Sequence, residues 1–204
     1  MNLNIPYMET DNKLLNDAYR IAAGDIVGNI VYYQNGLLTE EKPCMIAGLD
    51  YNTPWTRDTA INIWNALSIL SPEVSKNTLL AVLEEEEGNI YIGGQYWDSI
   101  IWMIGAREYC RFHKDDNFYR LAFEAGRNSV HRLEEDEFDE EDGLFRGPAV
   151  YGDGIAAYPD KYSKCPNQGS GILEWVDYLG NPVYPKGYGI PMKALSTNCV
   201  YFKA

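Results

Sequence analysis

Positive charge is what this 204-residue chain has least of. Its 17 Lys and Arg stand against 30 Asp and Glu, a formal charge of −13, and no Lys/Arg-rich run occurs anywhere. Binding to a phosphate backbone or an anionic membrane surface needs a concentrated basic patch, so neither nucleic acid nor membrane is an expected partner. A neutral ligand fits the charge balance better. Histidine is scarcer still, with only His113 and His131, and the four cysteines, Cys44, Cys110, Cys165 and Cys199, form no CxxC pair. No metal site and no cofactor are expected from that inventory, and the cysteines read as free thiols of a reducing compartment. Also missing are an 18-residue apolar run and an export signal: Met1-Asn2-Leu3-Asn4-Ile5-Pro6 has neither a basic n-region nor an apolar h-region. The expectation is a soluble, cytoplasmic chain.

What is present is globular. Apolar residues make up 46% of the chain, which at this length supports one sizeable core and a single domain over residues 1–204. Aromatic content is high, with 16 Tyr and 5 Trp, and many of these residues fall in Gly/Pro-rich stretches rather than in periodic runs. Such loops either pack themselves down or present aromatic faces to a ligand.

Helical periodicity dominates residues 12–136. From a cap at Asp11 or Asn12, the apolar positions Leu14, Leu15, Ala18, Ile21, Ala22, Ile26, Ile30 and Tyr33 predict a helix of about six turns closed by Gly36. A second helix is expected from Asp58 to about Leu70. A third starts at Ser71-Pro72-Glu73 and ends in the acidic run Glu84 to Glu87, read as a solvated helix end. Residues 99–106 are apolar nearly all round and predict a deeply buried helix, whereas the stretch from Asp116 or Asn117 to Leu133 carries one apolar stripe. Alternating buried and half-wet helices are what two helical layers require. The long connections around 43–55 and 88–97 precede the apolar helices and short ones follow them, which gathers the elaborate loops at one end. After the acidic stretch Glu134 to Asp142, residues 143–195 hold no helical period but contain a candidate hairpin, Leu173 to Leu179 turning at Gly180-Asn181-Pro182. Ser196-Thr197-Asn198 reads as the cap of a last helix, cut short at Ala204, so the chain is expected to be a fragment.

Chemistry-bearing residues concentrate at Trp55-Thr56-Arg57-Asp58, at the head of the second helix. A carboxylate in the first turn suits the helix dipole. The dipole explains neither Arg57, whose fork can donate to vicinal hydroxyls, nor Trp55, whose indole offers an apolar platform for a sugar ring. The alternative is a capped helix start and nothing more.

These segments resemble the six-hairpin glycosidases, the (α/α)6-barrel hydrolases that include glucoamylases, processing α-glucosidases, glycogen-debranching glucosidases and α-rhamnosidases. Trp55-Thr56-Arg57-Asp58-Thr59-Ala60 is similar to the W-x-R-D segment that holds the terminal sugar. Gln95-Tyr96-Trp97-Asp98-Ser99-Ile100-Ile101-Trp102 is similar to the segment in which an Asp faces the pocket ahead of an inner helix. Asp142-Gly143-Leu144-Phe145-Arg146-Gly147-Pro148, followed by Tyr151-Gly152-Asp153-Gly154, resembles the loop that carries the catalytic acid, and Ser196-Thr197-Asn198 the start of the next inner helix. The resemblance spans about three hairpins of six. It implies an all-α fold, about half of an (α/α)6 toroid, with a loop-rich active-site region over 137–195 and the next helix starting at 196–204. It also implies that the second catalytic carboxylate lies outside this chain.

Glycoside hydrolysis needs one carboxylic acid to protonate the leaving oxygen and a second carboxylate to activate water or attack the anomeric carbon. Asp153, between two glycines and near Tyr151 and Tyr158, is the candidate acid; otherwise it is an Asx turn. Trp55, Arg57, Asp58, Trp97, Asp98 and Tyr151 are the candidate substrate-binding residues, although Asp98 also suits a helix cap. The expected activity is O-glycosyl hydrolysis of α-linked glucose- or mannose-type oligosaccharides. The alternative is a non-catalytic helical module binding carbohydrate or protein. Self-association is also expected, through inner-helix faces that half a toroid leaves exposed and through Tyr201-Phe202.

Overall fold

A computed structural model describes residues 5–94, 98–147 and 193–204. Helix α1 (Lys13–Gly28) is followed by strands β1 (Ile30–Tyr33) and β2 (Lys42–Met45). Helix α2 (Thr56–Asn62) runs on through a π-helical turn, Ile63–Leu67, into the short α3 (Ser68–Leu70). Then come α4 (Pro72–Ala81), β3 (Leu83–Glu86), β4 (Asn89–Ile92), α5 (Asp98–His113) and α6 (Asp116–Glu137), with β5 (Phe138–Asp139), β6 (Leu144–Phe145) and α7 (Leu195–Lys203) after them. The described residues are thus mostly helical, but the all-α expectation omitted three two-stranded antiparallel sheets, β1-β2, β3-β4 and β5-β6.

Two of these hairpins correct the helix boundaries expected from periodicity. Helix α1 stops at Gly28, because Ile30-Val31-Tyr32-Tyr33 is a β-branched and aromatic run that pairs with β2 in the register Val31 to Cys44. Gly36 therefore closes no helix. It sits in a turn at φ +60, against α4, where a Cβ would come within 2.6 Å of the carbonyls of Leu80 and Leu83. The acidic run is likewise no helix end: Glu84 to Glu86 form β3, paired with Asn89 to Tyr91 of β4, and the two-residue turn at Glu87 and Gly88 has positive φ at both positions. At α7 the cap position is Ala194 without a side-chain cap bond, so Ser196 does not cap it. The hairpin expected at 173–182 lies outside the described residues.

Three contacts fix how the main helices run. Thr56 at the start of α2 meets Gly94 just ahead of α5, Ala60 meets Gly105, and the ring of His113 at the end of α5 hydrogen-bonds the Ser68 carbonyl at the end of the α2-α3 rod. The contacts advance together, so α2 and α5 are parallel. Helix α4 returns in the opposite sense: Lys76 binds Asp115 beyond the end of α5, while the Trp102 indole, earlier in α5, donates to the Leu79 carbonyl at 3.3 Å. Helix α6 also returns, with Phe118 against Tyr109 and Gly126 against Met103. Only Ser71 separates α3 from α4, and only Lys114-Asp115 separates α5 from α6, whereas residues 29–55 connect α1 to α2 and 82–97 connect α4 to α5. From α2 to α6 the short turns thus lie at one end of the helices.

Helix α5 is the centre of this packing. It contributes nine buried residues, more than any other described helix, and its Trp102 joins Leu67, Leu79, Leu83 and Phe118 in the largest apolar cluster. Its other face carries Ile100, Ile101 and Ile104 against Ala60 and Val200. The α2 contact depends on having no side chain at Gly105, where a Cβ would stand 2.8 Å from Ala60 Cα and 2.9 Å from its carbonyl oxygen. In an exposed helix Gly→Ala stabilises by up to about 1 kcal/mol. Here the sign reverses: Gly105→Ala should destabilise by about 1–3 kcal/mol, the usual cost of overpacking. A denaturant titration showing unchanged or higher stability would contradict the α2-α5 packing.

Candidate functional site

The parallel arrangement of α2 and α5 brings their N-termini, and the loops that lead into them, to one end of the helices. A cavity of about 230 Å³ opens there, lined by residues that include Asn35, Trp55, Thr56, Glu84, Gly94 and Asp98. Each wall has a local cause. Trp55 is the N-cap of α2, with extended backbone, and 39% of it remains exposed beside Tyr51, whose ring it meets edge-on at 6.3 Å. The loop ahead of it is held to β1 by the hydroxyl pair Tyr33 and Thr53 at 2.8 Å. Asn35 reaches the cavity because the turn after β1 packs on the end of α4, its amide donating to the Ala81 carbonyl at 3.3 Å.

Gly93 and Gly94 form one part of the wall. Thr56 Oγ1 donates to the Gly93 carbonyl at 2.7 Å, binding the head of α2 to the end of β4. A Cβ on Gly94, which lies at φ +116, would stand 2.7 Å from Asp98 Oδ2 and 2.8 Å from Thr56 Oγ1; one on Gly93 would meet the Glu84 carboxylate. Two carboxylates, Asp98 and Glu84, therefore stand against adjacent glycines, and Asp98 is only 3% exposed. No Lys, Arg or His is among the described residues lining the cavity. Such walls accept hydrogen bonds from hydroxyls and offer an indole face, and they do not attract an anion. The volume falls below the ~300–1,000 Å³ of drug-sized sites, so the cavity suits a ligand of single-ring size.

Of the residues singled out from the sequence, Trp55 and Asp98 line this cavity. Arg57 and Asp58 do not; they follow in the first turn of α2, with Arg57 Nε 4.0 Å from Asp58 Oδ2. Trp97, Tyr151 and Asp153 lie outside the described residues. Asn35 and Glu84 escaped notice in the sequence because both were placed near helix ends. The usable signal was the turn before Asn89-Ile90-Tyr91-Ile92, which marks a hairpin and sends Glu84 to a strand.

The segments at 142–147 and 196–198 meet each other at a second place. Asn198 on α7 accepts from Phe145 N at 2.8 Å and donates back to Phe145 O at 3.0 Å, while the Phe145 and Tyr201 rings stack at 3.7 Å. Lys193 binds Asp139 at 2.7 Å and Asp142 at 2.5 Å, and its backbone bridges to Gly147. The two ends of segment 148–192, which includes Asp153, are thus clamped together. Arg146 donates to the Asp136 carbonyl at 3.3 Å and serves this loop rather than the cavity. Cys44, Cys110 and Cys199 are free thiols, and burial pushes Cys44 up to about 12. No three metal-ligating side chains converge among the described residues, and no described helix is long and apolar enough to cross a membrane. Comparison of the chain with protein-family models, curated proteins and solved structures finds no match.

The clamp generates a pH prediction. Hydrogen bonding to Lys193 holds Asp139 below its ordinary value, and the two carboxylates, Asp139 foremost, raise Lys193 above its own. The depressed acid contributes above the ordinary carboxylate pKa of about 4, and the raised base contributes below the ordinary lysine pKa of about 10.4. Between those limits the clamp is complete. Amide hydrogen exchange at Leu144 to Arg146, referenced to the intrinsic rate at each pH, should show less protection below pH ~4, and Lys193→Gln should lower it at neutral pH as well. Unchanged protection in that variant would contradict the clamp.

Proposed function

We propose that this chain belongs to a glycoside hydrolase acting on α-linked glucose- or mannose-type oligosaccharides, with the cavity between the heads of α2 and α5 as the pocket for one sugar ring. The observation that carries the proposal is the wall chemistry: a half-exposed indole, two carboxylates and an amide converge among the described residues of the wall. Sugar hydroxyls donate to carboxylates, and the C–H face of a pyranose lies against indole. The parallel α2 and α5 with antiparallel α4 and α6 also support reading the hairpins as part of an (α/α)6 toroid.

In this reading Trp55 and Asp98 hold the ring, with Glu84 and Asn35 as further hydroxyl partners. Arg57 and Asp58, one and two positions on from Thr56 of the wall, stay assigned to substrate binding, as do Trp97 and Tyr151. Asp153 is the general acid; the clamp at Lys193 holds the two ends of its segment together, and its partner carboxylate lies outside this chain. A non-catalytic carbohydrate-binding module is the second reading, since the same walls bind sugar without turnover.

The test is hydrolysis measured on two substrates. Asp153→Asn should lower turnover of an α-linked disaccharide by the ~10²–10⁴-fold that general acid catalysis contributes. An aryl glycoside, whose leaving group needs little protonation, should be hydrolysed at closer to the parent rate. Trp55→Ala should weaken sugar binding and turnover together, because it removes a contact made in both ground and transition states. Equal loss on both substrates in Asp153→Asn contradicts the acid assignment. Binding that Trp55→Ala weakens, with no turnover in the parent protein, favours the binding module.

A further inference from the structure

Helix α1 is amphipathic but buries nothing. Its partly buried side is Asn16, Tyr19, Ala23 and Ile26, while Leu14, Leu15 and Ile21, at 76%, 48% and 66% exposed, form with Ala18 and Ala22 an apolar face turned to solvent and interrupted by Asp25. The spacing i, i+4, i+7, i+8 is that of a stripe meant to be covered. Elsewhere on the molecule, a groove of about 420 Å³ runs between α5 and α6. Its floor is Met103, which fills the space beside Gly126, with Ala106 and Ala122, and Tyr119 and Phe123 stand up from it at 57% and 63% exposed. An amphipathic helix lying in an apolar groove satisfies both surfaces.

Charge selects the occupant. At −13 the chain repels its own kind, so two copies associate only where local charges are opposite. The groove is flanked by Arg107 and Arg127, and neither makes an ion pair among the described residues. On α1 the charged side chain inside the apolar face is Asp25, at the angular position between Leu14 and Ala18, and it too makes no ion pair among the described residues. From this complementarity we infer that the α5-α6 groove receives α1 of a second copy of this chain, with Asp25 facing the groove arginines. Self-association was expected through inner-helix faces and Tyr201-Phe202; among the described residues α5 is largely buried, while α1, the exposed side of α6 and Phe202 carry bare apolar side chains.

Sedimentation velocity across the micromolar range tests this, with variants at exposed positions whose fold is checked by thermal melting. The parent chain should sediment as an associated species. Ile21→Glu, which spoils the α1 face, and Phe123→Glu, which spoils the groove, should each weaken association by at least ~10-fold. Mixed together the two variants should associate again, because the first retains an intact groove and the second an intact α1. Arg127→Glu should weaken association and be rescued when mixed with Asp25→Arg. A parent chain that is monomeric throughout overturns the inference. So do single variants that dissociate but do not recover on mixing, since that outcome means each face pairs with its own copy.

Discussion

The close approach of α5 to α2 is the constraint on which the rest of the structure depends. Backbone meets backbone at Gly105 and Ala60, one turn into α2 and two into α5, and that contact sets the two helices parallel with their heads side by side. Once they are parallel, α4 and α6 must run back, the short turns fall at one end and the β-hairpins at the other. The Thr56 bond to the Gly93 carbonyl then joins the head of α2 to the strand that leads into α5. The cavity exists because these two contacts bring the helix heads together while the glycines keep side chains out of the gap.

Burial and electrostatics divide the molecule accordingly. Trp102 is placed by its indole bond to Leu79 and by the ring of Phe118, so the core side of α5 has little freedom. The head of the same helix carries Asp98, almost wholly buried, with its Oδ2 held close against Gly94. Around the outside, ion pairs such as Lys76 with Asp115 and Arg132 with Glu86 tie hairpins together, and Arg132 also lies 3.4 Å over the Tyr91 ring. The α6 start illustrates the coupling: Asp115 caps it through Phe118 N while Lys76 holds the same carboxyl below its ordinary value.

How much of this was legible depended on the competition between local pattern and tertiary contact. The buried character of α5 was visible because Ile100 to Ala106 leave no polar face, and α6 because one stripe recurs over six turns. The strands β1 and β3 were not, since Ile30 and Tyr33 continue the period of α1 by coincidence and four glutamates have no strand propensity of their own. They pair only because β2 and β4 are there to receive them. At the site, Trp55 and Asp98 could be picked out as residues at helix heads. Asn35 and Glu84 were missed because both were assigned to helix ends, although the turn at Glu87 and Gly88 was a local signal that sends Glu84 to a strand. The separation of Arg57 and Asp58 from the cavity wall is a matter of helix phase: each step past Thr56 turns the side chain by about 100°.

The most direct measurement is a titration with an α-glucosyl or α-mannosyl oligosaccharide followed by ¹⁵N-resolved indole N–H signals. Trp55 lines the cavity and is partly exposed, whereas Trp102 is buried with its N–H on the Leu79 carbonyl. Saturable displacement of the Trp55 signal at millimolar sugar, with Trp102 unmoved and the effect lost in Asp98→Asn, is the result this account predicts. An unmoved Trp55 signal across the same range would contradict it.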